Sequence, residues 1–312
     1  METRKLGGLE VSVVGLGCNN LGRRIDEGQS ASVVGAALEA GVTLFDTADV
    51  YGEGLSEEYL GKALGARRQQ VHIATKFGGG MGGARTGAKP RWIEQAVDHS
   101  LSRLGTEWID LYQLHTPDPD TPIEETLAAL DRLVEAGKVR VIGCSNFDSG
   151  QIDQAQSVSD ERGLARFASV QNQYSLLHRE PEQGPDGGVI GACQRHGMSL
   201  LPYFPLASGL LTGKYRAGEA PPAGTRLGNM PAERASRFLN GRNLQVVERL
   251  QAFCQQRGRT LLELAISWLA ARPVVASVIA GATRPEQVRA NVAAAGWELD
   301  EEDLAEVDRI TR

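Results

Sequence analysis

Eight times between residues 13 and 295 the sequence passes from a short apolar run to a stretch with helical spacing, and few folds accept that rhythm. The apolar runs are 13–17, 42–45, 71–75, 108–115, 139–143, 167–170, 199–201 and 274–280. Helical spacing follows at 30–39, 57–64, 90–104, 122–136, 149–157, 188–196, 244–257, 260–271 and 285–295, with Gly41, Gly65, Gly105, Gly137 and Gly197 placed as stops. Strands alternating with helices imply a parallel sheet. At 312 residues the chain could hold two average domains, but eight units with no linker argue for one closed (β/α)8 barrel over residues 1–312. A doubly wound sheet for dinucleotides would carry G-x-G-x-x-G after its first strand, and none is there. Ahead of the repeats, Gly7-Gly8 between two short extended runs reads as a tight hairpin. A long polar loop is expected over 213–240.

In a parallel barrel the chemistry sits at the C-terminal ends of the strands. Here those ends are Gly17, Asp46, Lys76, His115, Ser145-Asn146, Gln171, Tyr203 and Ala280-Gly281. The strand bodies behind them are Val, Ile, Leu and Ala. Turns favour Asp, Ser, Asn and Gly, so Lys, His, Gln and Tyr at these ends need another reason.

Four residues make an acid–base device. Tyr51 lies five positions past Asp46, in the loop that follows the strand. A free phenol titrates near 10, too weak an acid for neutral pH, and a neighbouring ammonium favours the phenolate. Lys76 can supply that charge, and Asp46 can pair with Lys76. His115 offers a hydrogen-bond donor to a carbonyl oxygen. Each alone has an ordinary explanation: a cap, a surface lysine, a structural histidine, a packed tyrosine. Together they are a proton donor beside a polarised carbonyl, half of a carbonyl reduction. The other half is hydride, which requires a nicotinamide or a flavin.

Other chemistries find less support. The five histidines show neither H-x-H nor H-E-x-x-H spacing, so no metal site is expected. No G-x-S-x-G elbow occurs. Asp46 and Asp110 could serve a barrel glycosidase, but Asp110 begins its strand and should lie on the opposite face. The net charge of −6 leaves no footprint for nucleic acid. Four widely spaced cysteines suit a reducing compartment. There is no apolar signal core after Met1 and no run long enough to span a membrane, so a cytoplasmic protein is expected.

The chain resembles the aldo-keto reductase superfamily from Arg4-Lys5-Leu6-Gly7 to Asn291. The matching motifs are Gly15-Leu16-Gly17, Asp46-Thr47-Ala48-Asp49-Val50-Tyr51-Gly52, Thr75-Lys76, Asp110-Leu111-Tyr112-Gln113-Leu114-His115, Gly143-Cys144-Ser145-Asn146, Gln171-Asn172-Gln173-Tyr174, Pro205-Leu206 with Gly209-Leu210-Leu211-Thr212-Gly213-Lys214-Tyr215, and Gly281-Ala282-Thr283. The resemblance implies a barrel whose base the hairpin closes, and an NADPH-dependent reductase of small carbonyl compounds. Asp46, Tyr51, Lys76 and His115 would be its tetrad, with Tyr51 the general acid.

By the same resemblance, Ser145, Asn146 and Gln171 would hold the nicotinamide carboxamide and Tyr203 would stack on its ring. Phe204, Pro205, Leu206, Ser208, Gly209, Leu211 and Lys214 would wrap the pyrophosphate. Gly281, Thr283, Gln287 and Asn291 would receive the adenosine end. Some members carry Lys and Arg at the positions of Gly281 and Gln287. This chain instead resembles the branch that includes bacterial reductases and potassium-channel β-subunits, in which Arg226 would assist. Arg284 is a second cation near that turn. NADPH is therefore expected, with NADH as the other nicotinamide cofactor; a regulatory or redox-sensing NADPH-binding subunit with slow turnover is the alternative function. The substrate pocket would be lined by Asn19, Asn20 and Leu21, by residues 77–85, beginning at Phe77, and by the stretch after Tyr203. Its segment Gly78-Gly79-Gly80-Met81-Gly82-Gly83 is expected to be mobile. Substrate identity and the choice between monomer and homo-oligomer stay open.

Overall fold

A computed structural model describes residues 1–80, 87–216 and 218–312. Residues 81–83 of the segment 78–83 expected to be mobile, and 81–85 of the pocket wall expected over 77–85, thus lie outside the described residues. The chain opens with an antiparallel hairpin, β1 (Thr3–Leu6) and β2 (Leu9–Ser12), in the register Leu6↔Leu9. Gly7 takes φ +56°, and a Cβ there would stand 2.8 Å from the Ala168 Cβ, so the turn is seated against the barrel.

Eight parallel strands follow: β3 (Val14–Gly17), β4 (Leu44–Asp46), β5 (His72–Phe77), β6 (Ile109–Leu114), β7 (Val139–Ser145), β8 (Phe167–Gln173), β9 (Ser199–Tyr203) and β10 (Val278–Gly281). They form one sheet in the order β10-β3-β4-β5-β6-β7-β8-β9. The edges meet through a parallel bridge between Leu200 and Val275, just ahead of β10, so the (β/α)8 barrel is nearly closed. That bridge also explains why β10 begins later than the apolar run at 274. Residues 274 and 276 bond to Leu200 rather than extending the pairing with β3.

The helices are α1 (Glu27–Glu39), α2 (Leu55–Leu64), α3 (Pro90–Leu104), α4 (Ile123–Glu135), α5 (Ser149–Arg162), α6 (Gly188–His196), α7 (Ala232–Ser236), α8 (Gly241–Gln256), α9 (Leu261–Ala270), α10 (Pro285–Ala293) and α11 (Glu301–Thr311). Apolar spacing placed them but misjudged several ends. Helix α1 starts three residues earlier than expected because Asp26 and Gln29 form a reciprocal capping box. Helix α5 runs past 157 to Gly163, which takes the left-handed conformation that ends it. The long loop contains the short α7. Helix α11 lies beyond the last expected element, started by Asp300, whose side chain accepts from the Asp303 amide.

The apolar core has two shells. Leu44, Ala74, Leu111, Leu201, Ala276 and Ile279 fill the barrel, and Leu6, Leu9 and Val11 of the hairpin join them at the base. The larger shell packs the outward faces of the strands against the helices. Asp110 is buried near the base. Its carboxylate accepts from Arg68 Nη2 at 2.7 Å, Arg140 Nη1 at 2.9 Å and the Ile73 amide at 3.0 Å, which leaves it no role at the other end of the barrel. Among the described residues no helix is long and apolar enough to cross a membrane, and no cluster of metal-ligating side chains occurs.

Candidate active site

Strand alternation sends Leu44 and Asp46 of β4, Ala74 and Lys76 of β5, and Leu111 and Gln113 of β6 inward. The apolar member of each pair fills the barrel and the polar member lies above it. Lys76 is completely buried. Its Nζ donates to Asp46 Oδ2 and to the Thr47 carbonyl, each at 2.8 Å. Burial alone would lower the Lys76 pKa, but Asp46 and Tyr51 outweigh it and the net direction is upward, so the ammonium keeps its charge.

Tyr51 begins a single helical turn, Tyr51–Gly54, in which Gly52 and Glu53 take left-handed backbone. This turn brings the phenol back over the strand ends. Its ring centroid lies 5.1 Å from Lys76 Nζ, and the ring meets His115 edge-on at 5.8 Å. Burial raises the Tyr51 pKa above its ordinary value, and the downward pull of Lys76, offset in part by Asp46, does not cancel that. The expectation of a phenol made more acidic by lysine is therefore met in the direction of that pull and not in the net. The group stays protonated, as a proton donor must. His115 is pushed down to about 3, first by burial and then by Lys76, so its imidazole is neutral at physiological pH. Its Nδ1 is buried against Gly79, where a Cβ would come within 2.6 Å.

The other expected residues divide. Asn146, at φ +62°, donates to the His115 carbonyl at 2.9 Å and accepts the Tyr203 hydroxyl at 2.8 Å, so these two strand ends are joined beside the tetrad. Ser145 donates to the Gln171 carbonyl at 2.7 Å. Gln171 turns its Nε2 to Asp46 Oδ1 at 2.8 Å, which commits one of its two N–H donors there. After Tyr203 the chain enters an unusual loop. Phe204, Ala207, Ser208 and Gly209 all have positive φ, and a Cβ on Gly209 would stand 3.1 Å from Lys214 Nζ. Pro205, Leu206 and Leu211 belong to the same turn, Leu211 fully buried beneath it. The Ala207 and Gly209 amides bond back to the Phe204 and Leu206 carbonyls at 2.9 and 2.8 Å, so the loop is a tight turn that holds its own shape. Arg226 lies 5.0 Å over the Phe204 ring, half-buried. Burial, then Arg24, Arg23 and Arg234, disfavour its protonated form, as expected of a cation gathered with other cations for a phosphate. This strained loop, with Lys214 and Arg226 around it, fits a nicotinamide dinucleotide.

At the far end, the Gln287 side-chain oxygen accepts from the Thr283 amide at 2.8 Å and ties the turn ahead of α10 to that helix. Gly281 and Arg284 are exposed, and Asn291 is buried beside β3. Three of the four residues named for the substrate wall are buried. Phe77 is fully buried and stacks on Tyr112 with centroids 4.7 Å apart, because a residue next to inward Lys76 must face the helices. Leu21 is likewise fully buried, and Asn20 donates to the Ala282 carbonyl at 3.1 Å, tying the β3 loop to the β10 loop. Only Asn19 of the four is partly exposed. Gln113, which reaches Asp46, escaped the sequence reading; its signal was its place two residues before His115 on the same face of β6.

A family model described as "Aldo/keto reductase family" matches residues 13–312. Aldo-keto reductase YhdN of Bacillus subtilis (strain 168) is 35% identical, with 97% of this chain and 91% of that protein aligned. A probable voltage-gated potassium channel subunit beta of Arabidopsis thaliana is 34% identical over 94% of this chain and 91% of its own length. The solved structure of aldo-keto reductase AKR11C1 from Bacillus halodurans, in its holo form, superposes with a TM-score of 0.81 at 33% identity, covering 100% of this chain and 97% of that one.

Proposed function

The chain belongs to the aldo/keto reductase family and is an oxidoreductase; on that premise we propose that it reduces an aldehyde or ketone to the alcohol with NADPH, Tyr51 giving the proton. The observation that carries this reading is the buried Asp46–Lys76 pair beneath the Tyr51 ring, with a neutral histidine at its edge.

When bound, the nicotinamide supplies the hydride, which no side chain can. The rest is the work of this chain. Tyr203, its hydroxyl fixed on Asn146, offers a flat aromatic face at the mouth. Gln171 and Asn146 would orient the carboxamide of the nicotinamide. The loop from Phe204 to Leu211 would hold the phosphates, with Lys214 and Arg226 supplying charge. His115, neutral and with Nδ1 shut in, donates from Nε2 to the carbonyl oxygen. Tyr51 donates its proton to the same oxygen as that oxygen gains charge, and Lys76 stabilises the phenolate left behind. Asp46 acts as no base; it keeps the ammonium charged and directed.

Replacing Tyr51 with Phe removes the proton and leaves the ring. NADPH oxidation over a panel of aldehydes and ketones should fall at least about a hundredfold, with NADPH binding kept. Activity near that of the wild type would overturn the assignment. The resemblance to a channel subunit supports a second reading, a regulatory NADPH-binding protein. It is favoured if NADPH co-purifies in stoichiometric amount and no carbonyl on the panel turns over.

A further inference from the structure

One buried polar side chain beside the tetrad has no part in the chemistry above. Gln113 is fully buried on β6, paired in register with Lys76 on one side and Gly143 on the other. Its Nε2 donates to Asp46 Oδ1 at 3.4 Å, the oxygen that also takes Gln171 Nε2 at 2.8 Å, while Oδ2 is left to Lys76. Its Oε1 is buried without a partner among the described residues. Gly143 adds no side chain to this layer. The next residue in register is Ser169, whose Oγ is also buried and unpartnered among the described residues. A Cβ on Gly143 would come within 2.8 Å of that Oγ. The slot therefore fixes the carboxamide: its donor end serves the carboxylate, and its acceptor end faces away.

We propose that Gln113 is a positioning residue which, through Asp46, sets how much of the Lys76 charge reaches the Tyr51 hydroxyl. A carboxylate anchored by one oxygen only can rotate and close on the ammonium with both, neutralising more of its field. Two carboxamides on Oδ1 prevent that rotation and leave Oδ2 as the single contact. The titratable groups around Tyr51 are Lys76, Asp46, Cys18, His115 and Tyr203, and Gln113 acts on the first two together. The inference rests on Tyr51 being the proton donor.

The test compares the full-length chain with Gln113→Leu and Gln113→Glu. Leu removes one donor at similar volume, whereas Glu sets a second negative charge beside Asp46. Two readouts are needed: the pH profile of kcat with NADPH and a turned-over carbonyl, and the tyrosinate absorbance titration without cofactor, with Tyr51→Phe subtracted. In Gln113→Glu the alkaline limb of kcat and the Tyr51 midpoint should both rise by about one unit or more, with a smaller rise in Gln113→Leu. At neutral pH kcat should fall about tenfold in Gln113→Glu, with the NADPH Kd within about twofold of the wild type. A Gln113 that merely packs would lower thermal stability and leave both pH readouts of Gln113→Leu within about 0.2 unit, which overturns the proposal whatever the added charge of Gln113→Glu does. Failure of the wild type to reduce any carbonyl would count against the reductase reading instead, and the absorbance titration would still decide the role of Gln113.

Discussion

Asp49 lies two residues before Tyr51 and is 1% exposed, with Oδ1 unpartnered among the described residues. Nearby Glu57 is fully buried, bonded to Thr75 and Arg103. Burial, then the Glu57 charge, pushes Asp49 up from 3.8 to about 7. An acid whose pKa is raised by folding holds more protons in the folded state between those two values. Stability should therefore fall as pH rises through that window, with the penalty complete above it. Three units correspond to roughly 4 kcal/mol at most. Asp49→Asn removes the term, so its urea midpoint should exceed that of the wild type at pH 8 and approach it near pH 4; parallel curves would refute this. The cluster was legible in the sequence because Asp46, Lys76 and His115 are polar residues at the ends of apolar runs and Tyr51 lies in the loop just past Asp46. Phe77 and Leu21 were misread because nearness in sequence to a site residue was taken for exposure to the site. Alternation along β5 already sends Phe77 the other way from Lys76.

Among the elements, α2 and α3 meet at a contact that decides the sign of a substitution. Gly61 lies in the middle of α2, where a Cβ would come within 2.3 Å of the Leu104 carbonyl oxygen at the end of α3. Helix propensity alone predicts that Gly61→Ala gains about 1 kcal/mol. Forcing backbone from backbone costs about 1–3 kcal/mol, and neither helix has a flexible group at that point to give way. The net expectation is a lower denaturant midpoint for Gly61→Ala, and a rise would show that the helices can separate without loss. Because α2 follows directly from the turn of Tyr51, kcat should fall as well. Element identity was largely legible, since periods of two and of three to four residues differ plainly over these lengths. Ends were less so, because Asp26, Gln29 and Gly163 set them through capping, which apolar spacing does not record. Helix α11 was missed for a related reason: its apolar Leu304, Val307 and Ile310 are sparse among acids, and no strand precedes it.

At the scale of the molecule, the cationic loop continues directly from β9, whose Tyr203 is bonded to Asn146 just past β7, so a ligand held there should stabilise the whole barrel. At about a hundredfold excess over Kd a ligand adds about 2.7 kcal/mol, which for a chain of this size raises Tm by about 4 °C. NADPH should give that shift and NADH a smaller one at equal concentration, given the arginines around Arg226. Equal shifts would remove the phosphate from the account of cofactor choice. The barrel also has a history written into its register. Val14 pairs with Val278, so the first barrel strand finds one of its two neighbours only in the last. During synthesis on the ribosome β3 must wait, one edge bare, while nearly the whole chain emerges. Closure is thus the slowest kind of contact to make, joining residues far apart in sequence. The hairpin ahead of it pairs only with itself, locally and early. A nascent chain stalled before residue 278 would hold a curved, open sheet with that bare edge available to any neighbour, and chaperone capture should release only once β10 has been made.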